Sequence, residues 1–279
     1  MHTFDTPEPI SVTVDIGVGR VRVIAGPRTD TVVEIQPSNP SREADIRDAE
    51  QTWVELTNGR LAIKVPKRFT LFGRGSSVDV TLHLPEGSEV QATAAMADVH
   101  SSGRLGDCQV KLAMGALHLE STGALQVNTG MGDVTADEVV GQADIATGSG
   151  SVHVGAITGS AVIKNSDGDT WVGGVGGDLR VRAANGDITV DRADASVQAK
   201  SANGDVRVLG VTRGSVAVET SNGALEIGVR DGTSAWLDVK TGFGHVSTSL
   251  TAADAPGPAG DTVDVRARTA HGDIVVRRS

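Results

Sequence analysis

Between Asn185 and Val208 the chain reads NGDITVDRADASVQAKSANGDVRV, so that Asn-Gly-Asp followed by alternating apolar residues returns after 18 residues. The same signature stands at Met131 (MGDVTA), Asp167 (DGDTWV) and His271 (HGDIVV). Weaker copies occur at Met114 (MGALHL), Gly148 (GSGSVHV), Asn222 (NGALEI) and Phe243 (FGHVST). Gly115, Gly132, Gly150, Gly168, Gly186, Gly204 and Gly223 mark an unbroken run with steps of 17 to 19 residues. A fixed short period means one supersecondary unit stacked on copies of itself.

Counting from each repeating glycine, the second residue is almost always apolar, as at Val134, Val152, Ile188, Val206, Leu225, Val246 and Ile274. So is the fourth, as at Ala136, Val154, Val190, Val208, Ile227 and Val276, with Thr248 in the copy at Phe243. Between these columns lie Thr135, His153, Thr189, Arg207 and Glu226. Such period-two alternation is a strand with one buried face. A second strand follows half a period later, with Cys108 and Val110, Leu125 and Val127, and Val216 and Val218 facing inward. Each unit therefore supplies two short strands and two turns.

Two folds satisfy this pattern. In a parallel stack each unit is one coil, and equivalent strands lie about 4.8 Å apart. In an antiparallel meander each unit is a hairpin, and the Asn-Gly pairs form its turns. Parallel stacking is the arrangement that sets like residues beside like, so the fold expected is all-β, a β-solenoid (parallel β-helix-like) with coils of about 18 residues. Residues 1–95 lack the strict period, although strands are expected at 11–16, 21–24, 31–35, 52–57, 60–65 and 78–84. We read them as an irregular β N-terminal cap on the same stack, with 96–279 as the repeat solenoid, effectively one domain. Polar insertions interrupt the pattern at 37–51, with a helical turn or two after Ser41, at 66–77, and at 251–262.

Composition agrees with an all-β chain: 35 glycines, abundant Val and Thr, and turn residues every eight to ten positions. Aromatic residues make up 3% and tyrosine is absent, so the core is aliphatic. A net charge of −10 argues against a nucleic-acid partner, which requires a basic stripe. No segment approaches the ~18 apolar residues of a membrane span. The opening MHTFDTPEPISVTV has no basic segment followed by an apolar run, so no secretory signal and a cytoplasmic location are expected. The single Cys108 cannot form an internal disulfide, falls in an inward column, and reads as a buried structural thiol.

The opening FDTPEPISVTVDIGVGRVRV, the segment NGRLAIKVP at 58–66 and the repeats NGDITV and NGDVRV together resemble the bacterial putative-adhesin family, a β-strand-repeat domain of unknown function. The resemblance covers nearly the whole chain. It implies a β-solenoid-like fold and an adhesin-like role, and it brings no catalytic residues with it.

Three constellations could carry chemistry. Asp169, Asp187 and Asp205 follow the repeating glycine on consecutive coils, one rung apart, where a bridging calcium ion would find oxygen ligands. GGVGGD at 173–178 matches one copy of a calcium repeat that works in tandem. The structural alternative is that Asp after Gly binds turn N–H groups. His100 and His118 share an outward slot on adjacent coils, and His153 lies two coils on; two imidazoles could share zinc if further ligands joined them, or could simply line a solvated strand. The loop Lys67, Arg68, Phe69, Phe72 and Arg74, with Lys64 nearby, could dock on an acidic partner or an anionic membrane surface, or could fold its phenylalanines over the end of the stack.

No nucleophile elbow, P-loop, zincin or dinucleotide motif is present, so no enzyme is expected and no cofactor is required. The function expected is a non-enzymatic β-solenoid scaffold or binding module for an unknown protein, or for self-association. The alternative is a carbohydrate-active or calcium-binding β-helix protein.

Overall fold

The computed structural model describes residues 1–66, 76–250 and 261–279. It contains two compact units, Met1–Val140 and Gly141–Ser279. Each contains a stack of parallel coils, most of them with two strands apiece, as the periodicity predicts.

In the unit Gly141–Ser279 the coils are Ala143–Ser149 with Val152–Ile157, Ala161–Asp167 with Thr170–Val175, Leu179–Asn185 with Ile188–Ala193, Val197–Asn203 with Val206–Val211, and Gly214–Asn222 with Leu225–Val229. Equivalent strands pair in parallel and in register. On one side Ile145 lies beside Ile163, then Val181, Ala199 and Val218. On the other, Val154 lies beside Val172, then Val190, Val208 and Ile227. All ten are buried, so the two sheets close on an aliphatic core one side chain deep from each. Like-on-like stacking of β-branched residues is what holds each coil to the next.

The corner between the two strands explains the glycine column. Gly204 has φ +139, and a Cβ there would lie 2.1 Å from the carbonyl oxygen of Gly186. Gly186 has φ +123, and its Cβ would lie 2.2 Å from the oxygen of Gly168. Coils can therefore stack at strand spacing here when the corner carries no side chain. The corner carbonyls are met from the interior by a buried polar column. Thr220 Oγ1 donates to Gly204 O at 3.0 Å and Thr269 Oγ1 to Gly223 O at 3.0 Å. Asn165 Nδ2 does the same for Gly150 O at 3.0 Å and Gly168 O at 2.8 Å.

Coils taken in chain order would place 234–248 directly on Gly214–Asn222. The structure departs from this. Thr262–His271 and Ile274–Arg278 take that place, and Ser234–Phe243 with Val246–Thr248 lie beyond them as the outermost coil. Val246 and Thr248 accordingly lie exposed, although their columns predict burial. They sit on the last coil, with no further coil against them among the described residues.

The unit Met1–Val140 shows the same displacement. Ser11–Gly26 is a whole coil in one bent strand, running parallel to Glu89–Arg104 from Ser11↔Glu89 to Ile24↔Ser102. The coil on its other side is made of Arg60–Lys64 and Val78–Pro85, which come later in the chain. From Glu89–Arg104 the stack continues through Cys108–Met114 and Leu117–Thr122 to Leu125–Met131 and Val134–Val139. The irregular cap is antiparallel. Trp53–Thr57 forms a hairpin with Arg60–Lys64 through Asn58 (φ 50) and Gly59 (φ 71), the turn that Asn-Gly favours. Asp30–Pro37 pairs antiparallel with Val78–Pro85, and His2–Asp5 with Asp30–Pro37. Glu43–Glu50 is the one helix among the described residues, where a turn or two is expected. It is pinned by two buried carboxylates: Asp45 accepts from the N–H groups of Asn39 and Ser77, and Asp48 from the Ser76 hydroxyl.

Candidate functional site

The repeating aspartates stand on successive rungs beside the glycine corners. Asp169 Oδ1 accepts from the N–H of Asp187 at 2.8 Å, and Asp187 Oδ1 from that of Asp205 at 2.9 Å. Asp205 Oδ1 accepts from Ala224 N–H at 2.8 Å. Asp98 and Asp273 do the same for Ala116 and His245. Each carboxylate thus caps the N–H in its own slot on a neighbouring coil. Asp178, within GGVGGD, caps Ser196 in the same manner at the other corner. The second oxygens of Asp187 and Asp205 hold Arg207, at 3.0 and 2.6 Å. The bond to Asp187 is the largest cause of the rise in the Arg207 pKa above its ordinary value. No group of three or more His, Cys, Asp or Glu side chains positioned for a metal occurs among the described residues.

One position before the glycine, the outer corner carries a second ladder. Asn185 Nδ2 donates to Asp167 Oδ1 at 2.6 Å, Asn203 Nδ2 to Asn185 Oδ1 at 2.9 Å, and Asn222 Nδ2 to Asn203 Oδ1 at 2.9 Å. His271 and Phe243 occupy the same column on the two outer coils and stack at 5.1 Å.

In the unit Met1–Val140 the same column is apolar. Met96, Met114 and Met131 are register neighbours, and Val18 adjoins Met96. The three methionines are 48%, 40% and 52% exposed. Sequence reasoning passed over this row, although its signal was present: Met114 and Met131 open two of the repeat copies. A shallow concavity of about 230 Å³ lies against its edge, lined by Val18, Arg20, Ser38, Ser77, Asp79 and Met96 among others. Here Ser38 donates to Asp79 at 2.6 Å and Ser77 to Ser38 at 2.8 Å.

The histidines are brought together as the repeat implies. His100 and His118 stack at 4.8 Å, and His118 Nε2 lies 3.9 Å from Asp137. His153 instead stacks on Trp171 at 3.9 Å, so ring stacking is the observed use of this column. Cys108 is buried and unpaired, and burial pushes its thiol up to about 11. The basic-aromatic candidates Lys67, Arg68, Phe69, Phe72 and Arg74 lie outside the described residues. Of that group Lys64 is described, with its ammonium 5.6 Å from the Trp53 ring.

Parallel two-strand coils, glycine corners and carboxylate and amide ladders along the flank define a β-solenoid of the strand-repeat class. The chain belongs to the Toastrack DUF4097 family, whose model matches residues 14–277. Among solved structures it is similar to a "putative adhesin" from Parabacteroides merdae, at 10% identity and a TM-score of 0.45, covering 99% of this chain and 94% of that one. It is also similar to a "putative adhesin" from Bacteroides fragilis, at 12% identity and a TM-score of 0.35, covering 99% and 95%. A "putative cell adhesion protein" from Clostridium sporogenes is similar at 12% identity and a TM-score of 0.26, covering 100% and 98%. No curated protein matches the chain. No helix among the described residues is long and apolar enough to cross a membrane.

Proposed function

We propose that this protein is a non-enzymatic, adhesin-like binding module that engages a macromolecular partner along one flank of its coils. The observation that supports this is the exposed row Met96, Met114 and Met131, continued by Val18. Rows of exposed apolar side chains mark contact surfaces, and methionine supplies polarisable, adaptable contact area without a fixed shape. The rigid stack beneath holds the three side chains one strand spacing apart, so the partner meets a straight apolar strip. A cytoplasmic setting belongs to the same proposal, and fractionation of the native cells tests it.

The test is partner capture from native cell material with wild type beside a triple variant, Met96→Gln, Met114→Gln and Met131→Gln. Because these side chains lie at the surface, the variant is expected to melt as wild type does. Loss of the captured partner in the variant supports the flank as the binding surface. Retention of the same partner removes the methionine row from the proposal and turns attention to the loop containing Phe69 and Phe72.

A further inference from the structure

The outermost coil of the unit Gly141–Ser279 ends in an open edge. Ser234–Phe243 pairs with Thr262–His271 on one side and, among the described residues, with nothing on the other. Its columns stay in solvent: Leu237 is 37% exposed, while its register neighbour Val265 is buried. Trp236, on the outer face, is 68% exposed. The Ser234 N–H donates to Asp261 O, so the even-numbered residues from Ser234 to Lys240 direct their backbone groups toward Thr262–His271; the alternation breaks at the corner, where Phe243 O accepts from the Gly272 N–H. Alternation along a strand then turns the N–H and C=O groups of Ala235, Leu237, Val239 and Thr241 outward. An edge of this kind is a template for another strand.

We infer that this edge pairs antiparallel with the same edge of a second copy of the chain, about a two-fold axis through Val239. The sequence of the strand, SAWLDVKTGF, is self-complementary in that register. Asp238 of each copy faces Lys240 of the other, giving two opposite-charge pairs on the outer face. On the inner face Val239 meets Val239, and Leu237 meets Thr241.

Other registers fail for stated reasons. A two-fold centred on Asp238 or Lys240 sets like charges directly opposite, which is unfavourable. Centring on Leu237 or Thr241 leaves both charges without a partner across the axis. A shift by half a step brings the inner face of one copy against the outer face of the other. Within its own chain Asp238 is paired at 2.5 Å with Arg268 of the inner neighbouring strand, so pairing with Lys240 of a second copy makes the carboxylate shared between the two cations. A two-fold contact between identical edges is closed, so the assembly stops at two copies. This contact is independent of the methionine flank.

Sedimentation analysis of the whole chain, from micromolar toward millimolar concentration, tests the inference. A reversible monomer–dimer equilibrium is expected. Lys240→Asp makes the outer face of the edge wholly acidic, and Asp238→Lys makes it wholly basic. Each variant alone is expected to dimerise at least about tenfold more weakly than wild type, since two attractive pairs become repulsive. Mixed together, the two variants are expected to form a one-to-one dimer. Val239→Pro removes an N–H that faces away from Thr262–His271, so it is expected to leave the melting curve in place and abolish the dimer. The inference is overturned by a wild type that stays monomeric toward millimolar concentration, or by a mass that grows beyond the dimer. A Lys240→Asp variant as dimeric as wild type overturns it too. Partner capture by the Lys240→Asp variant, unchanged from wild type, separates this outcome from that of the flank test.

Discussion

Asp187 and Asp205 are joined from coil to coil: Asp187 Oδ1 accepts the Asp205 N–H at 2.9 Å, while Arg207 bridges the second oxygens of both. The column that suggests a metal ladder from the sequence is occupied by backbone capping. Asp187→Ala removes the acceptor and releases Arg207, and is expected to cost about 1 to 2 kcal/mol in urea unfolding. Asp187→Asn keeps an acceptor oxygen and is expected to cost less than about 1 kcal/mol. The double variant Asp187→Asn with Asp205→Asn should melt identically in calcium and in EDTA, as should wild type. A calcium-dependent rise in wild-type Tm that the double variant lacks would restore the metal reading.

Gly204→Ala is expected to be severely destabilising. Its Cβ would lie 2.1 Å from Gly186 O at φ +139, and neither the coil spacing nor the backbone angle can relax without breaking the ladder. The loss should exceed about 3 kcal/mol, the upper range for a residue held in a forbidden conformation. Gly26→Ala is the control, because a Cβ there meets nothing within 4 Å. It should change stability by less than about 0.5 kcal/mol.

Thr220→Val replaces a hydroxyl with a methyl group of similar size and removes the 3.0 Å bond to Gly204 O. The carbonyl is then left without this donor. A loss of about 1 to 2 kcal/mol is expected, whereas Thr220→Ser should recover most of it. Chemical denaturation of the three proteins side by side gives the answer.

The Cys108 thiol ionises at about 11 in the folded chain against 9.0 for the unperturbed group, chiefly because it is buried, with a hydrogen bond to Thr122 opposing the shift. A raised folded value means that its contribution is complete below pH 9 and is lost as pH rises from 9 to 11. The loss amounts to about 2 to 3 kcal/mol at the upper end. Tm measured across that window should fall less steeply in Cys108→Ala than in wild type. At pH 8 the native thiol should resist alkylation until the chain unfolds.

Much of this architecture was legible locally. The columns Val190, Val208 and Ile227 announce a buried strand face, and the repeating glycine announces the corner at which coils meet. Asn58-Gly59 announces its own hairpin. The site was less legible. The placing of Asp187 beneath the N–H of Asp205 needs the neighbouring coil, because residues 18 positions apart have no local reason to touch. Met114 and Met131 were visible in the repeat, yet their exposure depends on the chain bending outward at the corner. An unbent strand alternation would have turned them inward.

The sequence by itself determined the coil: its length, its two buried columns, its glycine corner and the parallel stacking that sets like upon like. Each of these follows from side-chain period and backbone sterics within one repeat. Only the tertiary structure decided the order of coils at the ends. Thr262–His271 stacks on Gly214–Asn222, and Ser234–Phe243 is left outermost; in the other unit, Arg60–Lys64 lies outside Ser11–Gly26. Coils of one pattern offer one another nearly equivalent surfaces, so the local code does not rank their neighbours. The choice falls to nonlocal packing, and it leaves Trp236, Asp238, Val239 and Lys240 at a free edge.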